Sequence, residues 1–366
     1  MRKYNLNNKP VCVMESYDGF AMFIASYILQ ILLQFAFSML LVATGVAKEF
    51  TQSTAGVCLL VTLNETAMFI TPFVYSKIKG ENLFGSVGWK TKLSAGQIAT
   101  LVGIALATVL AFAPLANWFV RFIIWTGFDT SALSTLEMTS WGMYILGLLF
   151  MCILPAICEE FLYRGMIARA LGDKGMVFGM FLSATLFALM HGSPIQLVHQ
   201  FFLGVVCVGV YYMTRSIWSS VIIHFVNNAI AVTGNFILNK IGKADMQFPE
   251  WTLAISLVVG LGVLVGLVVL FYKLSVSRDK VAAKDIVASV QEHFYTNDEK
   301  LAMALEKDAI QTQLDQCDSQ EMREVMMSTI REDQAKLNKK GRLALIYALI
   351  LGIGVWVMNT VLNYVK

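Results

Sequence analysis

Charge is scarce in this chain. Asp, Glu, Lys and Arg make up 14% of its 366 residues while hydrophobic residues make up 57%, and an ordinary water-soluble domain carries about 25% charged residues. That imbalance excludes a soluble fold. Net charge is only +3, too small and too scattered for a surface that tracks phosphates, so nucleic acid is excluded as a partner. Six Pro in the whole chain leave no Pro-rich or low-complexity segment. The Cys form no CxxC pair, and Cys58, Cys152, Cys158 and Cys207 fall inside apolar segments, which argues against a disulfide scaffold and against a thiolate metal site. Absent too are the HExxH of soluble zinc proteases and the G-x-S-x-G of a serine nucleophile elbow.

What the chain has is hydrophobic length. Crossing roughly 30 Å of hydrocarbon at about 1.5 Å per residue takes about 20 apolar residues. Nine stretches approach this, near 19–44, 55–76, 96–118, 140–162, 176–192, 196–213, 217–237, 252–272 and 343–364. The expected fold is all-α, a polytopic transmembrane helix bundle of eight or nine spans. The first stretch lacks the small-residue cleavage pattern of a signal peptide and is expected to remain as the first span. Outside the long charged segment, one side of this topology holds Arg2, Lys3, Lys9, Lys77, Lys79, Lys90, Lys92, Arg169, Lys174 and Arg215. The other holds Lys48, Arg121, Lys240, Lys243 and Lys366. Cytoplasmic loops carry the excess, which puts the N-terminus in the cytoplasm.

Residues 273–342 differ in composition: charges alternate with Ile286, Val290, Leu301, Leu305, Ile310, Leu314, Val325 and Ile330. This reads as a small cytoplasmic insert of two or three amphipathic helices, packed under the bundle or self-associating, with a sensor or docking role as the alternative. The chain thus divides into N-terminal spans (1–139), a core (140–237), a further span (238–272), the insert (273–342) and a last span (343–366).

Ionisable groups within spans cost about 2.5–3.5 kcal/mol each at mid-membrane and need a partner or a task. CEEFLYRG places Glu159 and Glu160 after an apolar run, with Arg164 at the helical spacing that lets it fold back on them. Pro155, one turn earlier, frees a backbone carbonyl. FALMHG puts Phe187 and His191 on one face of the next span, and IIHFVNNA does the same for His224 and Asn228. Each has a plainer reading, a water-facing helix end for the acids and an interhelical hydrogen bond for a lone His or Asn. Helix lengths nonetheless bring the three motifs to similar depth, where a carboxylate, two imidazoles and an amide suit water activation. A carboxylate in an apolar pocket makes a general base. Imidazoles bind a divalent metal or hold a nucleophilic water, and an amide donates to an oxyanion. Hydrolysis is the natural reaction. His199 and the Asn64–Glu65 pair read as structural.

The motifs Glu159-Glu160-x-x-x-Arg164, Phe187-x-x-x-His191 and His224-x-x-x-Asn228, in this order on successive spans, resemble the CAAX prenyl endopeptidase and bacteriocin-processing intramembrane proteases, over about residues 140–235. The stretch with Thr214-x-Ser216-x-Trp218 resembles that family as well. The resemblance implies a membrane endopeptidase in which Glu159 activates water and His191, His224 and Asn228 complete a metal or water site. Glu160 and Arg164 then orient the first acid, and Phe187 belongs to the second motif. It leaves open whether Glu159, His191 and His224 ligate a divalent metal, zinc foremost, or act without one. It implies a peptide or protein substrate in or at the bilayer, and a bacterial plasma membrane as the setting. The first three spans, the insert and the last span lie outside the pattern, so a prenylated substrate does not follow. The alternative is a catalytically silent scaffold or bacteriocin-immunity protein of the same fold. A transporter is disfavoured because neither an inverted repeat nor paired broken helices are evident.

Overall fold

The computed structural model describes residues 14–45, 53–80, 82–129, 138–172, 175–243, 248–279, 307–317 and 319–362, with short pieces at 3–4, 10–11, 50, 246 and 364. Helices α1 (Ser16–Thr44), α2 (Thr54–Lys79), α3 (Ala95–Trp125), α4 (Trp141–Leu171), α5 (Met176–Met190), α6 (Leu197–Thr214), α7 (Ile217–Lys240), α8 (Glu250–Asp279) and α9 (Gln320–Leu362) form a polytopic helical bundle. Eight of them are long and apolar enough to cross a membrane, and α5 is apolar but shorter. Of the insert's hydrophobic positions, Ile286, Val290, Leu301 and Leu305 lie outside the described residues, as does His293.

Polar residues set the helix starts. Ser53 and Ser94 accept hydrogen bonds from the backbone N–H groups of Gly56 and Gln97, and the Gln97 side chain returns a bond from the Ser94 N–H, closing a capping box. Several helices outrun the hydropathy that announces them, because polar groups at their ends find partners. The Trp118 indole of α3 donates to Glu250 of α8 at 2.7 Å, and Arg121 pairs with the same carboxylate, so α3 continues to Trp125. Helix α9 runs unbroken from charged residues into apolar ones.

Helix α4 occupies the centre. From Phe161 to Leu171 its residues are all buried, the mark of a helix with neighbours on every side. It packs against α1, α2 and α5, while α3, α6, α7 and α8 share a second apolar cluster. Two π-helical segments, Leu148–Ile153 and Phe161–Ala168, flank the ordinary turns Leu154–Glu160. Pro155 accounts for the first, since it brings no N–H to the carbonyl of Met151 and clashes with a regular α turn there.

One end of the bundle is closed by the segment between α2 and α3. Trp218 of α7 donates to the carbonyl of Trp89 at 2.9 Å, and Ser216 donates to that of Thr91 at 2.8 Å. Gly88 at φ 73° lies so close to the α6–α7 turn that a Cβ would sit 1.7 Å from the Arg215 carbonyl oxygen. Gly88→Ala therefore meets both the left-handed penalty of about 1–2 kcal/mol and a backbone collision. A lowered melting temperature in detergent is expected, and an unchanged one would show that the segment does not seal this end.

Candidate active site

The acids of α4 do not face water. Glu159 is 5% exposed and Glu160 and Arg164 are 0% exposed, because α4 continues to Leu171 instead of ending near 162. Arg164 Nη1 pairs with Glu160 Oε1 at 2.8 Å, and the same oxygen lies 2.8 Å from His224 Nδ1. A carboxylate held by Arg164 accepts, so Nδ1 carries the proton and His224 turns Nε2 toward Glu159, whose Oε2 is 3.7 Å away. Glu160 thus sets the tautomer and tilt of His224.

His191 caps α5, and its Nδ1 donates to the carbonyl of Phe187 at 2.9 Å. This leaves Nε2 as the acceptor. The Phe187 ring meets His191 edge-on at 4.9 Å and His224 at 5.9 Å, with the Arg164 guanidinium over it at 4.3 Å. One phenyl group therefore spaces both imidazoles and shields the ion pair. Asn228 Nδ2 donates at 3.0 Å to the carbonyl of Met151, the group that Pro155 leaves without its helical donor. Its second N–H is spare.

Glu159, His191, His224 and Asn228, from three helices, line one cavity of about 790 Å³. Glu160, Arg164 and Phe187 stand behind it. The wall opposite comes from α1, α2 and α9, including Gln30, Gln34, Met358 and Asn359, and Asn359 fastens α9 to the site by donating to the carbonyl of Gly192 at 3.1 Å.

Residues 141–230 match the family described as Rce1-like, type II CAAX prenyl endopeptidase. The match opens at the first residue of α4 and closes within α7, so all three motifs fall inside it. Neither the curated proteins nor the solved structures give a match to the chain. The match is to the family of a type II CAAX prenyl endopeptidase, and it lies within an integral, multi-pass membrane protein.

The structure brings Glu65 to the same site. Asn64 is tied to Gln34 at 2.6 Å, but Glu65 is 4% exposed and lines the same cavity as Glu159. An acid within an apolar span was the available signal; its neighbour on α4 is a tertiary fact. His199 bonds Asn227 Oδ1 at 3.2 Å, linking α6 to α7.

Among the described residues no three His, Cys, Asp or Glu side chains are grouped to hold one ion. Each imidazole keeps Nε2 uncommitted, Nδ1 being held by Phe187 and by Glu160. No step below is routed through a metal. Elemental analysis of the purified protein checks this: activity independent of bound metal is expected, and a stoichiometric ion whose removal ends activity would make Glu159, His191 and His224 its ligand set.

Proposed function

We propose that this protein is an intramembrane endopeptidase that hydrolyses a peptide bond of a membrane-associated or lipid-modified protein or peptide. The observation that carries the reading is the meeting of Glu159, His191, His224 and Asn228 at one cavity. Glu159 takes the proton of the attacking water, and the acceptor Nε2 of His191 helps to hold that water in line. The spare N–H of Asn228 faces the developing oxyanion. Glu160, fixed by Arg164, is a positioning residue: it holds His224 in one tautomer.

The cavity's size lies within the usual range for ligand sites, about 300–1,000 Å³, and suits a few residues of extended chain. The amides of Gln30, Gln34, Gln196 and Gln200 line it, and each carries donors and an acceptor for a peptide backbone. The reading places the end bearing Lys77, Lys79, Lys90, Lys92, Arg169 and Arg215 on the cytoplasmic side of a plasma membrane. The test is cleavage of a quenched membrane-anchored peptide by purified protein in liposomes, compared with Glu159→Gln. Absence of cleavage by the wild type across lipidated and unlipidated substrates would favour the catalytically silent scaffold.

A further inference from the structure

Water activation by Glu159 leaves open which group protonates the leaving amine. An amide nitrogen departs only once it is protonated, and the residues assigned so far hold water or meet the oxyanion. The cavity contains one more acid. Glu65 comes from α2, outside the matched domain, and stands in the cavity wall beside Glu159. Its Oε2 is fully buried and has no hydrogen-bond partner among the described residues, and the same holds for Oε2 of Glu159.

We propose that Glu65 is the general acid of the reaction and forms with Glu159 a carboxyl dyad that shares one proton. The inference rests on the hydrolase reading above and adds a catalytic residue to it. Two carboxylates lining one low-dielectric cavity side by side cannot both be charged at modest cost, so one proton stays with the pair. The cationic side of the pair decides where it rests. Arg164 stands on the Glu159 side, behind Glu160, whereas no Lys or Arg among the described residues lines the cavity. Glu159 is the ionised member and Glu65 the protonated one.

The cycle then closes without a further reactant. The water oxygen bonds to the carbonyl carbon while Glu159 takes one water proton. The C–N bond breaks as the carbonyl re-forms, and Glu65 gives its proton to the leaving nitrogen, releasing an amine and a carboxylic acid. The proton on Glu159 passes to Glu65 and restores the starting pair.

A general acid is needed in proportion to how poor the leaving group is, which separates this role from a structural one. Wild type, Glu65→Gln and Glu159→Gln are compared on a peptide amide and on the nitrophenyl ester of the same acyl sequence, whose leaving group departs without a proton. For Glu65→Gln the amide rate should fall about 100- to 10,000-fold and the ester rate by less than about tenfold, so the amide-to-ester ratio collapses. Glu159→Gln should lose both. An unchanged amide rate in Glu65→Gln, or equal losses on amide and ester, would overturn the assignment while leaving the hydrolase reading in place. A wild type inactive on both substrates would instead remove that reading, and this one with it. Should Glu65→Gln fail to fold, the wild type still answers. An apolar carbodiimide modifies protonated carboxyls in membranes, and mass spectrometry should find the adduct on Glu65. An adduct confined to Glu159, or none on Glu65, would overturn the proposal.

Discussion

Glu159→Gln should lower peptide cleavage by about 100- to 10,000-fold, the usual contribution of a general base, and should leave the protein folded. Gln has the shape of Glu and keeps an oxygen toward His224. Its new amide N–H groups can donate to Glu65, so no buried group loses a partner. The ion pair between Glu160 and Arg164 is untouched. His191→Ala should bring a loss of similar size, because it removes an acceptor that faces the cavity while its backbone contact with Phe187 is only local. Cleavage rate and melting temperature measured on the same preparations check both variants. Full activity in either would remove that residue from the chemistry, and a collapsed melting temperature would move it to the scaffold.

The opposite pattern is expected one residue along. Arg164→Ala should cost about 3–5 kcal/mol of stability, because it strands the Glu160 carboxylate at a site with no access to water. It also removes the cation stacked on Phe187. Pairing Arg164→Met with Glu160→Gln should recover much of the lost stability, since a neutral pair needs no counter-charge. Activity should not return with it, because the Gln no longer fixes the tautomer of His224. Unfolding of the single and double variants in detergent, with cleavage assayed in parallel, tests the argument. Equal stability of Arg164→Ala and wild type would mean that the ion pair carries none of the fold. Adjacent acids thus have separable tasks, one exposed to the cavity and one locked behind it.

The bundle was legible because lipid leaves so few choices: long apolar runs must be helices. The three motifs stood out for the same reason, as polar groups where polarity is costly. Pro155 pointed to a freed carbonyl, but not to Asn228 as the group that satisfies it, since that pairing joins α4 to α7 across the bundle. The extension of α4 to Leu171 was hidden by Arg164 and Arg169, which look like the edge of a span. Arg164 is neutralised within its own helix, and Arg169 is buried at 6% exposure. Glu65 was visible as an anomaly, but its place beside Glu159 depends on which face of α2 meets α4, and one sequence does not state that. The cavity wall contributed by Val355, Met358 and Asn359 of α9 was beyond reach on the same ground.

The two wide turns of α4 make the aim of its acids a matter of counting. A π turn accommodates one residue more than an α turn, so the surplus in Leu148–Ile153 sets the angle at which Glu159 leaves the axis relative to the Trp141 end. Dropping a single residue there would let the segment tighten, rotating the two halves of the rod by about 100° against each other. Either the carboxylates or the anchoring aromatic face would then point the wrong way. Side chains in that stretch are replaceable in principle; its length is not.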